Sequence, residues 1–259
     1  MNLLKNFLPY IVVERFKHYR DFERIGYSKI DSFLSILSLT KPLYLESTRL
    51  NLLPNNSLNK LNYVVDVGAN EGLWSLGVLS LTQPKQLIVI EPSPELHPKL
   101  KTRLSPHPTV KLLNLAVGNQ KGEIELYITG HSHNVSVLKP REEMNDFYGY
   151  GWETRDTVKV AVDSLDHILD ELPEVSLLKI DVQGYEKNVL DGAIKTLKKT
   201  RFVILEVTFF SHYENDSLFS ELHTIMTNAG FYLQNIKIPI CKEGRSPWGD
   251  AIYINGNLT

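Results

Sequence analysis

The chain has 259 residues, a formal net charge of −2, 42% apolar and 22% charged residues, which is the composition of a soluble globular protein with an ample core. Its lone cysteine, Cys241, excludes an intrachain disulfide framework and a cysteine-based zinc site and points to a reducing compartment, so a cytoplasmic location is expected. The near-zero charge argues against a dedicated nucleic-acid binder, and no apolar run reaches the length a membrane-spanning helix needs.

At the N-terminus, Leu3, Leu4, Phe7, Leu8, Ile11 and Val12 recur at helical spacing, with Pro9 interrupting and no small-residue cleavage site following. This helix is expected to pack on the body or on a second copy of the chain as a homodimer. Lys5, Arg15, Lys17, Arg20 and Arg24 leave a peripheral membrane contact as the weaker alternative, because Glu14, Asp21 and Glu23 dilute the basic face. Leu53-Pro54-Asn55-Asn56-Ser57 cannot continue a helix, which places a boundary near residue 60. Two units are therefore expected: an N-terminal helical extension over residues 1–60 and an α/β domain over residues 61–259.

From there, short apolar runs alternate with helical stretches, the pattern of a mostly parallel sheet. Strands are predicted at 63–67, 87–90, 110–117, 177–181 and 202–207, with helices at 71–81, 94–104, 184–197 and 216–229. Two more strands at 231–238 and 251–254 have no helix between them and read as an antiparallel pair. Further strands at 124–128 and 158–162 flank a long loop over 130–157 that contains Tyr148, Tyr150 and Trp152, and Asp163-Ser164-Leu165-Asp166 opens a short helix. A loop of that length rich in aromatics is expected to act as a lid, with Ser246-Pro247-Trp248-Gly249-Asp250 as a second aromatic element.

The segment Val65-Asp66-Val67-Gly68-Ala69-Asn70-Glu71-Gly72 carries a strand directly into a glycine turn and a helix, where open α/β sheets bind their ligands. The dinucleotide pattern wants a glycine where Asn70 stands, so close approach of a pyrophosphate is lost. A nucleoside without phosphates joined to a small zwitterion fits better, and S-adenosylmethionine is such a ligand. Glu91, 23 positions after Gly68 at the end of the next strand, can accept hydrogen bonds from both ribose hydroxyls.

Asp66-Val67-Gly68-Ala69-Asn70-Glu71-Gly72, Glu91-Pro92-Ser93-Pro94, Asn114-Leu115-Ala116-Val117-Gly118-Asn119, Asp163-Ser164-Leu165-Asp166 and Leu178-Lys179-Ile180-Asp181-Val182-Gln183-Gly184-Tyr185-Glu186 resemble, in order and spacing, the successive motifs of FkbM-type methyltransferases. The resemblance implies a Rossmann-like class I methyltransferase fold of seven strands in the order 3-2-1-4-5-7-6 with an antiparallel last strand. It also implies S-adenosylmethionine as donor and methyl transfer to a hydroxyl of a sugar, glycan or secondary metabolite. Carried over by position, Asp66, Gly68 and Asn70 would surround the methionine part, Glu91 the ribose, Asn114 and Ala116 the adenine, and Asp181 the sulfonium or the acceptor. The family usually has a glutamate where this chain has Gln183, which removes a carboxylate from the position.

A hydroxyl acceptor must lose a proton, and the candidate bases are Asp181, then Glu206 at the end of the fifth strand, then His131 or His133 in the long loop. His131-Ser132-His133 puts two imidazoles on one face of an extended segment without a third ligand, so no metal is expected. Two other classes stay open at this point: a non-catalytic partner or membrane-associated module with this fold, and a nicotinamide-dependent oxidoreductase.

Overall fold

A computed structural model describes residues 50, 53–54, 57–149, 151–238 and 244–258, so the helix expected near the N-terminus, Tyr150 and Cys241 lie outside the described residues. The strands are β1 (Tyr63–Val67), β2 (Gln86–Ile90), β3 (Val110–Leu113), β4 (Ala116–Val117), β5 (Gly122–Thr129), β6 (Thr154–Asp163), β7 (Val175–Ile180), β8 (Thr200–Thr208), β9 (Phe231–Lys237) and β10 (Trp248–Asn255). The helices, numbered here in chain order, are α1 (Leu73–Leu81), α2 (His97–Leu104), α3 (Met144–Tyr148), α4 (Leu165–Ile168), α5 (Glu186–Asp191), α6 (Ile194–Lys198) and α7 (Phe219–Asn228).

Seven strands form one sheet in the order β3-β2-β1-β7-β8-β10-β9, and β4, β6 and β5 form a second, small sheet. Numbering only the members of the large sheet gives 3-2-1-4-5-7-6. Its neighbours are parallel except for β10, which runs antiparallel to both β8 and β9.

The apolar runs are continuous because both faces of the sheet are covered. Val65, Val67, Ile88, Ile90, Leu178, Ile180, Val203 and Leu205 point to one core with Leu190 of α5, Leu197 of α6 and Leu222 of α7. The alternate residues Val64, Leu87, Val89, Leu177 and Ile204 point to the other, with Trp74 and Val78 of α1 and Leu100 and Leu104 of α2. Leu50 and Leu53, on the N-terminal side of the expected boundary, are buried in that second core. Among the described residues no helix is long and apolar enough to cross a membrane.

Two elements differ from expectation. The strand expected over 110–117 is two strands, because the chain leaves the large sheet at the exposed Asn114 and Ala116-Val117 pair with Val162-Asp163 of β6 instead. The helix expected over 184–197 is α5 and α6, broken at Gly192, where any side chain would meet the Gly118 carbonyl at 2.1 Å. Asp166 restarts the helix by accepting hydrogen bonds from the backbone N–H groups of Lys195 (2.9 Å) and Thr196 (2.7 Å), the service a capping carboxylate gives to a first turn.

Candidate active site

A cavity of about 530 Å³ opens where the parallel strands end. Its floor is the turn after β1. Gly68 adopts φ +74°, and its backbone N–H and that of Ala69 both donate to the Ile90 carbonyl at the end of β2. On its other side the turn lies so close to β7 that a Cβ at Gly68 would sit 1.8 Å from the Asp181 carbonyl oxygen. Asn70 continues the turn at φ +49°. Glycine here lets the ends of β1 and β7 meet while leaving the backbone bare toward the cavity.

Glu91 is 5% exposed and lines the cavity. One carboxylate oxygen accepts from the Asn70 backbone N–H at 2.8 Å and the other from that of Ser93 at 2.9 Å. Burial nonetheless pushes its pKa up from 4.5 to about 7, against the pull of those two N–H groups. Beyond it, Leu115, Ala116, Val117 and Leu126 form an apolar wall. Asn114, expected beside them, is exposed and does not line the cavity: it stands where the chain leaves the large sheet.

Asp66 also does not line the cavity. It is fully buried beneath it, accepting from the Ser75 hydroxyl at 2.6 Å and facing the Lys179 ammonium at 3.1 Å. Lys179, which carried no assigned role in the sequence, is 3% exposed and donates to the Gly68 carbonyl at 2.8 Å, with Asp181 at 3.5 Å. One cation thus ties the glycine turn to two carboxylates. The signal for it was a lysine inside the wholly buried run of β7, where an unpaired charge would not be tolerated.

Asp181 and Glu206 come together at the far end of the cavity, both accepting from the Gln183 amide nitrogen, at 2.9 and 2.8 Å. Over them lies an aromatic wall. Tyr148 at the end of α3 stacks on Trp152, with ring centroids 5.2 Å apart, and its hydroxyl is 2.7 Å from His212 Nε2. Burial lowers the pKa of His212 to about 4, so it is a neutral imidazole near pH 7. Of the long segment expected as a lid, His131, His133, Tyr148 and Trp152 line the cavity, and the segment is pinned to the chain after β8 by Arg141 N donating to the His212 carbonyl and Glu214 N to that of Lys139. Trp248 lines the cavity too, as the first residue of β10.

His131 and His133 are exposed but also line the cavity, and His133 Nδ1 is 3.3 Å from Asn70 Nδ2. Among the described residues no group of three or more potential metal ligands converges. Of the residues predicted for the site, Gly68, Asn70, Glu91, Ala116, His133, Asp181 and Glu206 therefore share one cavity, with Asp66 below it and Asn114 outside.

Comparison with known proteins assigns the arrangement. The Methyltransferase FkbM domain matches residues 66–233, the stretch from the buried Asp66 to β9. The chain belongs to the FkbM methyltransferase family. Among its relatives, 2-O-methyltransferase NoeI of Sinorhizobium fredii is 27% identical over 161 residues, a match covering 58% of this chain and 65% of that protein. Methyltransferase sdnD of Sordaria araneosa is 28% identical over 195 residues, 65% of this chain and 73% of that protein. In fold, the chain is similar to the crystal structure of Methyltransferase FkbM from Methylobacillus flagellatus KT, with a TM-score of 0.53, 16% identity, and coverage of 98% of this chain and 60% of that one.

The chain thus carries an FkbM methyltransferase domain, and its cavity fits S-adenosylmethionine: a bare glycine turn, a strand-end carboxylate for hydroxyls and an apolar wall for a base. A nicotinamide cofactor is set aside with that assignment. The raised pKa of Glu91 gives a measurable consequence. A buried carboxyl with a folded value near 7 favours the folded state most below about pH 4.5, and that contribution is lost as pH rises through 7. A ribose held by Glu91, as the motif resemblance implies, would be bound by the ionised form, so affinity for S-adenosylhomocysteine is expected to rise roughly tenfold between about pH 6 and pH 8. Calorimetric titration at the two pH values checks this, and Glu91→Gln should flatten the difference.

Proposed function

We propose that this methyltransferase moves the methyl group of S-adenosylmethionine to a hydroxyl oxygen of an uncharged acceptor, a glycosyl ring or a ring-bearing secondary metabolite. The observation that carries this reading is the pairing of two carboxylates, Asp181 and Glu206, with the aromatic faces of Tyr148 and Trp152 at the end of the cavity away from Glu91. Carboxylates accept from acceptor hydroxyls, while aromatic faces cover the apolar side of a ring. The charges favour a neutral partner. Glu91, Asp181 and Glu206 line the cavity, Glu71 beside them is paired with Lys99 and Arg103, and the Lys179 ammonium is already shared with Asp66 and the Gly68 carbonyl. A phosphorylated or carboxylated acceptor would meet like charge there. The name of the relative NoeI, a 2-O-methyltransferase, supports oxygen as the methylated atom.

Methyl transfer is an in-line displacement, and most of the catalysis is alignment of the acceptor oxygen behind the methyl carbon. S-adenosylmethionine, when bound, supplies the methyl group and leaves as the thioether. The chain's own residues hold the acceptor and take its proton. Asp181 and Glu206 are the two carboxylates at hand to take that proton, and Asp181 also faces the Lys179 ammonium at 3.5 Å. His133, at the exposed side of the cavity, is placed to contact the cofactor side near Asn70.

The test is incubation with S-adenosylmethionine and a panel of neutral glycosides, sugar phosphates and amines, with products read by mass spectrometry. Formation of methyl ethers from neutral hydroxyl compounds is expected; methylation of amines or sugar phosphates alone would overturn the reading. With an accepted glycoside, Tyr148→Ala should raise the acceptor KM about tenfold, the loss of roughly 1.4 kcal/mol of ring contact, while leaving S-adenosylhomocysteine affinity unchanged. Steady-state kinetics beside a binding titration separates the two effects.

A further inference from the structure

The Gln183 side chain touches both carboxylates. Its Nε2 donates to Asp181 Oδ1 at 2.9 Å and to Glu206 Oε2 at 2.8 Å, and its Oε1 accepts from the Tyr213 hydroxyl at 3.0 Å. The partners dictate the amide's orientation: reversing it would turn the carbonyl oxygen toward two carboxylates. Tyr213 is 1% exposed, and burial together with Glu206, Glu186 and Asp181 pushes its phenol well above the ordinary value, so it stays an O–H donor.

The backbone carrying this amide is held against its own preference. Gln183 has φ +56°, a left-handed conformation that side chains rarely adopt. Three contacts maintain it. The Ser136 hydroxyl donates to the Gln183 carbonyl at 2.6 Å, and Glu186 Oε1 accepts from the backbone N–H of Val182 at 3.0 Å and of Gly184 at 3.2 Å. Strain that the surroundings over-determine in this way is a mark of a functional position.

We propose that Gln183 is a positioning residue that joins Asp181 and Glu206 into one hydrogen-bonded unit, letting two adjacent carboxylates stay ionised together and face the acceptor. The proposal rests on the methyl-transfer reading for its role in the reaction. Two carboxylates in direct contact would share a proton and lose one acceptor. A nitrogen with two N–H groups between them removes that need. Both carboxylates then stay available as acceptors for the hydroxyl, with Asp181 also facing the Lys179 ammonium at 3.5 Å. Among the described residues, the titratable groups around the unit include Lys179 of β7, Tyr148 of α3, Glu186 of α5, His212 and Tyr213 after β8, and the buried Asp250, which stands opposite Glu206 across the β8–β10 pair.

The test is the pH dependence of thermal stability in Gln183→Glu and in the double variant Gln183→Glu/Glu206→Gln. In the single variant a third carboxyl meets two carboxylates, so its folded pKa rises above its unfolded one. The stability it allows is present below the unfolded value and lost as pH rises through the folded one. Its melting temperature is expected to approach that of the wild type near pH 5 and to fall below it by roughly 3–6 °C near pH 8. The double variant, which moves the amide to the other side of the same contact, should recover most of the loss at high pH. A gap that does not change with pH, or losses that simply add in the double variant, would overturn the proposal. With acceptor present, Gln183→Glu should lower kcat about tenfold or more near pH 8 at little change in S-adenosylmethionine KM. The melting measurements need no acceptor, so absence of methyl transfer by the wild type would count against the function reading and leave the clamp to be judged on its own.

Discussion

Replacing Gly68 by alanine is expected to destabilise the protein by about 3 kcal/mol or more and to weaken S-adenosylhomocysteine binding at least about a hundredfold. Two independent costs add at this position. A left-handed φ of +74° disfavours any residue with a Cβ, and the added carbon would lie 1.8 Å from the Asp181 carbonyl oxygen and 2.8 Å from its carbon. Both are backbone atoms at the end of β7, so neither can rotate away. Relief requires the glycine turn and the Asp181 turn to separate, which also strains the Lys179 bridge to the Gly68 carbonyl and opens the cavity floor. Urea unfolding and calorimetric titration check the two parts. Gly122→Ala is the control, because nothing lies within 4 Å of its added carbon, and it should stay within about 0.5 kcal/mol of wild type. Wild-type stability and affinity in Gly68→Ala would refute the account of the turn.

Lys179→Met is expected to cost about 3–5 kcal/mol, the range seen when one partner of a buried ion pair is removed. Methionine fills most of the volume, so packing is largely kept. What is lost is the cation facing Asp66 at 3.1 Å, Asp181 at 3.5 Å and the Gly68 carbonyl at 2.8 Å. Asp66, fully buried, would keep the Ser75 hydroxyl as a donor and would gain from taking up a proton. That fixes the sign of the pH dependence. A carboxyl whose folded pKa has been raised supports stability at low pH and withdraws it as pH rises, so the deficit of the variant should be widest above about pH 7 and shrink toward pH 5. Chemical denaturation across that range measures it, and a deficit independent of pH would mean that Lys179 acts by packing alone.

Much of the fold was legible because local pattern and global environment agree. β1, β2, β7 and β8 are continuous apolar runs, as strands covered on both faces must be, and the first turn combines a glycine with a following helix. The two breaks were hidden for the same reason as each other. Nothing local at Asn114 announces that Ala116 and Val117 will pair with β6, and nothing at Gly192 announces the Gly118 carbonyl; both depend on residues far along the chain.

The site divides in the same way. Glu91 and Gly68 were readable from their spacing after a strand, since each acts from its own turn. Asn114 had the right motif position and is exposed, because a motif gives order along the chain and not the direction in which it leaves the sheet. Lys179 was visible as a charge in a buried run, but its partners were not. Gln183 was recognisable as a departure from the family pattern, yet its work depends on Asp181 two residues away, Glu206 at 23 and Tyr213 at 30.

By itself, then, the sequence determined the α/β class, because that follows from hydrophobic runs, and the resemblance of its motifs to a known family implied the strand order and the donor. The tertiary structure alone decided that one lysine secures the cavity floor, that an amide stands between two carboxylates, and that the loop of Tyr148 and Trp152 closes over them. Those contacts join the ends of strands that are adjacent in the sheet and remote in the chain, and hydrogen bonds of about 3 Å exist only once the sheet has brought those ends together.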